Sequence, residues 1–335
     1  MNYGQLLKRA WQITWRYKVL WAFGIAAALF QGGFGGGGFQ YRFGAQDMAR
    51  WRQMVPMMPG LGRGFAHMQA AWPIVMGIIG VLLVMGLFFA IVGVIVRYTS
   101  IGALIAMVDE IEGTQETSFK AGLTRGWRRF LYLLGIDLLI GLGAFLAVCV
   151  ILLILGILAL IFMAPGFVLL GAGEARTLGI AWLVIAGIFF LPLFILLMLA
   201  LSVVVTITRA WAERACLLRA QNVFGAIEQG SALLRARLKE SLSVWLVMWL
   251  INLALGIALL PIMAVVIGLG VGAGAVVYST LRSVPWLLIL AVPFLALLGL
   301  AGVFVAGVYY VFRSAVWTLA FHKLAPAEAV ASPGA

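Results

Sequence analysis

Between Arg129 and Glu174 the chain runs for 44 residues with a single charge, Asp137. As a helix at 1.5 Å per residue this run would measure about 66 Å, twice the roughly 30 Å hydrocarbon core of a bilayer. Comparable runs recur at Trp72–Val96, at Ile180–Thr208, between Glu240 and Arg282, and at Val284–Phe312. Hydrophobic residues make up 64% of the 335 and charged residues only 10%. A soluble domain is about 45–50% apolar and about 25% charged, so this chain lacks the polar residues to cover a water-facing globule. Disorder is excluded for the opposite reason. What remains is an all-α integral membrane protein.

A shorter first run covers roughly Tyr17–Phe30, extended by Gln31–Phe34, behind Lys8, Arg9, Arg16 and Lys18. It resembles a signal-peptide core, but Gln31-Gly-Gly33 is a poor cleavage site. It is therefore read as a retained span, which makes six. Inside the over-long third run, residues 147–152 contain no turn chemistry, and the first punctuation is Pro165-Gly166. One span to about Met163 is expected there, followed by an apolar surface or re-entrant piece over 164–173. In the fifth run, Pro261 with Gly268, Gly270, Gly272 and Gly274 suits a kink or a close helix contact.

The net charge is +12. With six spans, all but six of the 23 Lys and Arg fall on one side, the six being Arg42, Arg50, Arg52, Arg63, Arg176 and Arg282. The positive-inside rule then places both termini in the cytoplasm. The basic residues serve lipid rather than nucleic acid. Cys149 and Cys216 form no disulfide framework.

Self-similarity is readable along the chain. Tyr3-Gly-Gln-Leu-Leu-Lys-Arg-Ala-Trp11, Phe119-Lys-Ala-Gly-Leu-Thr-Arg-Gly-Trp127 and Phe224-Gly-Ala-Ile-Glu-Gln-Gly-Ser-Ala232 each open with an aromatic and carry a small residue seven places later: Ala10, Gly126, Ser231. Each leads into a span. The return spans start near Trp72, Trp182 and Trp286 and end at Arg97, Arg209 and Arg313. The expected fold is three helical hairpins, each preceded by a cytoplasmic amphipathic interfacial helix. The units are 1–110, 111–220 and 221–325 within one membrane domain, with a flexible tail over 326–335. In the amphipathic segments, Trp, Leu and Phe dip into the acyl boundary while Arg9, Arg125, Arg128, Arg129, Arg235 and Arg237 reach lipid headgroups. The outer loop 32–71 is Gly-rich and then Met-rich. It suits a short interfacial helix around Gln46–Met54 and an adaptable partner surface.

No catalytic constellation can be assembled. His67 and His322 lie outside the spans, and no HExxH, CxxC or metal-spaced carboxylate pair occurs. Gly268–Gly274 lacks the Lys-Ser/Thr of a phosphate loop and has small-xxx-small spacing instead. No cofactor, metal or enzymatic activity is expected. Asp137 stands out as an acid embedded in an apolar segment. About 12 Å of helix separates it from Arg129, so it can pair near the cytoplasmic edge with Arg97, Arg209 or Arg313, or serve a proton or substrate. Asn252 is read as an interhelical hydrogen bond, and Asp109, Glu110, Glu112 and Glu116 as a solvated face answering the Arg-rich segments.

The strings Gly102-Ala-Leu-Ile-Ala-Met-Val-Asp-Glu-Ile-Glu112, Ser118-Phe-Lys-Ala-Gly-Leu-Thr-Arg-Gly-Trp-Arg-Arg-Phe130 and Leu134-Gly-Ile-Asp-Leu-Leu139 carry a resemblance. They resemble a group of uncharacterised bacterial six-span membrane proteins, similar to the membrane domain attached to some glycerophosphodiester phosphodiesterases. The resemblance implies an α-helical inner-membrane module without a defined activity, and the phosphodiesterase activity is not expected of these residues. The functional expectation is a non-enzymatic accessory subunit or membrane organiser. It would bind anionic lipid and a membrane-protein partner or a second copy of itself. A transporter or lipid-handling protein for a small amphipathic substrate is the alternative.

Overall fold

The computed structural model describes residues 2–32, 61–171, 173–281 and 284–325. These residues form eight α-helices and no strand: α1 Tyr3–Arg16, α2 Val19–Gly32, α3 Leu61–Thr114, α4 Phe119–Gly171, α5 Arg176–Leu218, α6 Val223–Ala236, α7 Leu238–Leu281 and α8 Val284–Leu324. In hydrocarbon no water satisfies an exposed backbone, so an apolar run has to stay helical. That is why α4 continues through Pro165 to Gly171. The break and the re-entrant piece expected over 164–173 are absent, and a 3-10 turn at Gly173–Ala175 makes the bend instead. Trp182 braces this end, donating its indole N–H to the Phe162 carbonyl at 2.8 Å and stacking on the Phe162 ring at 5.2 Å.

Five helices, α3, α4, α5, α7 and α8, are long and apolar enough to cross a membrane, so the chain is a multi-pass membrane protein. The expected sixth span is not among them. Its helix, α2, has 14 residues, about 21 Å at 1.5 Å per residue, which is short of the hydrocarbon core. Lys18 bounds it on one side, and the continuation at Gly33–Phe34 lies outside the described residues, as do the interfacial helix and most of the Met-rich surface expected in the outer loop, the tail 326–335 and Arg282. Helix α2 packs beside α8 and α3. A Cβ on Gly307 of α8 would come within 2.7 Å of the Ile25 Cα, and one on Gly93 of α3 would meet the Phe30 ring at 2.7 Å.

The buried core does not lie between the apolar stretches. The most apolar stretch of each spanning helix has almost no buried residue. Burial is concentrated at the Arg-terminated end, along Tyr98–Ile111 of α3, Ile207–Cys216 of α5 and Val311–Leu324 of α8. Trp211 is fully buried there, edge-on to Trp317 at 4.9 Å. We call this packed end the base.

The base is assembled by small residues. The amphipathic segments sit on return helices: α1 on α8, the start of α4 on α3, and α6 on α5. Gly126 of α4 lies against the Thr99 carbonyl and the Ala103 N–H of α3. Gly230 of α6 lies in the same way against the Thr208 carbonyl and the Ala212 N–H of α5. A Cβ on Gly230 would be 3.1 Å and 2.9 Å from those atoms. Buried pairs four apart mark each amphipathic segment: Leu6/Ala10, Gly122/Gly126 and Ala226/Gly230. These pairs set the third segment's register one residue earlier than its sequence suggests. It opens at Val223 rather than Phe224, which is exposed, and Gly230 rather than Ser231 makes the contact. The second amphipathic segment is also not a separate helix, because α4 runs without interruption from Phe119.

Overpacking a tight crossing costs about 1–3 kcal/mol. Gly126→Leu is therefore expected to lower the thermal midpoint of the detergent-purified protein by several degrees. Gly143→Leu, at a position with nothing within 4 Å of an added Cβ, should leave it unchanged. Equal midpoints for the two variants in fluorescence-detected size exclusion would refute the small-residue crossing.

Candidate functional site

Where the exposed apolar belt meets the base, charged side chains converge from three return helices. Asp137, the last residue before exposed Leu138 of α4, faces α3 and α5. Arg209 Nε stands 2.6 Å from Asp137 Oδ1, and Arg97 reaches Oδ2 at 3.7 Å. The Tyr98 hydroxyl donates to the same Oδ2. The Arg209 contact is an ion pair with its N–H aimed off the carboxylate, since Arg209 Nε and Asp137 Oδ1 count no aligned hydrogen bond. The Arg97 guanidinium also lies over the Tyr98 ring at 5.2 Å.

Below this cluster is a cavity of about 160 Å³ on the line where α3, α5 and α8 meet. Arg97, Arg209, Arg214 and Arg313 line it together with Glu213, Tyr310 and Ser314. Arg214 is buried, donating to the Ala210 carbonyl at 2.7 Å and to the Ser314 carbonyl at 3.4 Å, with Glu213 at 3.7 Å. Its Nε has no partner among the described residues. Arg313 has no carboxylate at ion-pair distance among them. Taking a guanidinium out of water costs several kcal/mol unless it is paired. With Asp137 and Glu213 as the only acids beside them among the described residues, the four cations leave a positive surplus. A side cavity between α5, α7 and α8, also about 160 Å³, shares Thr206, Arg313 and Trp317 and is completed by Trp245, Met248, Trp249, Asn252 and Tyr309.

Of the partners considered for Asp137, Arg97 and Arg209 touch it, while Arg313 shares the cavity without reaching it. Asn252 lines the side cavity. The residues read as headgroup contacts divide. Arg9 bonds Glu112 at 2.7 Å, Arg125 approaches Glu110 at 3.5 Å and Arg237 approaches Glu240 at 3.6 Å. Arg129 lies over the Tyr132 ring at 5.1 Å, and Arg128 and Arg235 are exposed. His322 meets Asp109 at 3.0 Å. Sequence reasoning overlooked Tyr98 and Glu213, and counted Arg214 only among the cytoplasmic-side cations. The available signal was helical spacing, since Arg209 and Glu213 are four apart and share one face. Among the described residues, no three His, Cys, Asp or Glu side chains come together as a metal site.

The description "Family of unknown function (DUF7544)" applies to the family model that matches residues 18–328. The chain belongs to the DUF7544 family. No curated protein and no solved structure matches it. The match takes in α2–α8, and so the whole Arg–Asp cluster of this DUF7544 member.

Removing one partner of a paired buried charge costs about 3–5 kcal/mol, and less where water reaches it. Asp137 is 16% exposed and Arg209 36%, so about 1–3 kcal/mol is expected for Asp137→Asn. The double variant Asp137→Asn/Arg209→Gln should be less destabilised than the sum of the single variants. Strict additivity of the thermal midpoints would show that the two side chains do not interact.

Proposed function

We propose that this DUF7544 protein is a non-catalytic module of a bacterial cytoplasmic membrane. It grips anionic lipid with its basic end and offers its spans to lipid or to a membrane-protein partner. Both termini lie in the cytoplasm, as the charge bias favours. The observation that carries this reading is the separation of burial from hydrophobicity: the packed core is in the base, while the apolar stretches stand almost uncovered. A translocation route needs polar groups along a path enclosed by spans. Here the polar groups gather at one end of the bundle. The resemblance to the membrane domain attached to some glycerophosphodiester phosphodiesterases supports the same reading, a membrane module with no activity of its own.

The amphipathic segments supply the grip. Trp11 and Trp15 of α1 are exposed beside Lys8 and Arg16, and Trp127 and Leu131 of α4 are exposed beside Arg128 and Arg129. Aromatic rings at the acyl boundary with guanidiniums at phosphate level are the recipe for interfacial anchoring. Lipid handling is the second reading, favoured by the side cavity between α5, α7 and α8, which shares Arg313 with the central cavity.

Replacing Arg125, Arg128 and Arg129 together by Gln is expected to reduce the enrichment of anionic phospholipid around the protein severalfold, at about 1 kcal/mol per basic residue near the surface. Mass spectrometry of lipid co-extracted in polymer nanodiscs reads this directly. Unchanged enrichment would remove the anchoring role. A stoichiometric protein in the same extract would support the accessory-subunit form of the proposal.

A further inference from the structure

The central cavity is built for an anion. Four guanidiniums line it, from Arg97, Arg209, Arg214 and Arg313, on three different helices. Two acids answer them: Asp137 ties up Arg209 and Arg97, and Glu213 stands beside Arg214. Arg313 has no carboxylate at ion-pair distance among the described residues. Arg214 is 4% exposed, and its Nε has no hydrogen-bond partner among the described residues. Like charges brought together out of water repel, and no fold gains by collecting them unless a counter-charge joins them. Guanidinium is also the group best matched to tetrahedral oxyanions, because its fork of N–H donors meets two oxygens at once.

Size and position narrow the ligand. The cavity volume of about 160 Å³ far exceeds the roughly 10–15 Å³ that one water requires. Its lining residues Arg97, Arg209 and Arg313 are the cations that close the apolar runs of the three return helices, where a headgroup phosphate would be met. The side cavity shares Arg313 and is lined further by Met248, Trp245 and Trp249, and Trp249 is half exposed at the belt. An anion held at Arg313 can therefore carry an apolar tail out between α7 and α8.

We propose that the cavity lined by α3, α5 and α8 is a phosphate-binding site, with Arg313 as its principal donor, Arg214 as a buried positive charge behind it and the Arg97–Asp137–Arg209 cluster fixing its wall. It takes a phosphate group, either the headgroup of an anionic lipid entering through the side cavity or free inorganic phosphate. This inference rests on the reading of the basic end as the headgroup-level face, and adds one specific site to that diffuse surface.

The test is the thermal midpoint of the full chain in phosphatidylcholine nanodiscs. The additions compared are inorganic phosphate against chloride at equal ionic strength, and phosphatidylglycerol doped into the disc. The wild type should gain several degrees from at least one of them. A gain from inorganic phosphate identifies the free anion as sufficient. A gain from phosphatidylglycerol alone identifies the lipid headgroup as the source. Arg313→Gln should reduce the apparent affinity at least tenfold, and Arg313→Lys, which keeps the charge but loses the fork, should fall between. The Lys variant also serves if the Gln variant does not fold. The Arg125/Arg128/Arg129→Gln variant separates the two readings, because it should lose general lipid enrichment while keeping the cavity response. No gain in the wild type, or the same gain in both Arg313 variants, overturns the site.

Discussion

Charge in a bundle this apolar has to be answered, and the way Asp137 is answered organises the protein. Arg209 from α5 and Arg97 from α3 converge on one carboxylate of α4, and Tyr98 adds a hydrogen bond. An ion pair at the edge of hydrocarbon is weakly screened, so it holds its helices in one rotational setting. With α3, α4 and α5 fixed, their apolar stretches point outward and their small residues meet inside the base. Arg97 and Arg209 of this cluster also line the central cavity.

Packing in the base follows from the absence of a hydrophobic drive between helices in lipid. Apolar side chains gain nothing by leaving acyl chains for one another, so association depends on close backbone approach and polar contacts. Gly126 against α3, Gly230 against α5 and Gly307 against α2 are such approaches. Each amphipathic segment lies on the return helix that precedes it in the chain, and α1 completes the circuit by lying on the last one, α8. The three return helices thereby meet at the centre, where Trp211 and Trp317 pack edge-on. Beyond the base, glycines such as Gly77, Gly141 and Gly299 have no neighbour that a Cβ would reach, whereas α4 and α5 stay in contact out to Gly166 and Gly179.

Much of the site was legible because it follows from cost. A lone acid in an apolar run demands a cation, and the terminal arginines of the return helices were the candidates at the right depth. Two of the three touch it. Arg214 was not legible as a buried residue, because a basic residue beyond the end of an apolar run reads as a surface anchor until the base is seen to surround it. The Arg-rich segments were read as facing lipid, yet Arg9 and Arg125 meet Glu112 and Glu110 from α3. The acidic stretch was expected to answer such segments, but which arginine meets which glutamate depends on helix crossing. The one-residue shift of the third amphipathic segment has a similar origin. Aromatic spacing suggested Phe224, but the contact is decided by which small residue lets backbones approach.

The sequence by itself determined that this is an all-helical chain of a membrane, because lipid leaves an apolar backbone no other way to satisfy its N–H and C=O groups. It also determined where most of the long helices lie and that Asp137 must be paired. Tertiary structure alone decided that the first apolar run makes a short helix leaning on α8 and α3, and that the core lies in the base rather than among the spans. It alone decided that four arginines from three helices share one cavity. Hydropathy reports the solvent a residue prefers, whereas helix crossings depend on the shapes of residues far apart in the chain, and no local pattern records which of them meet.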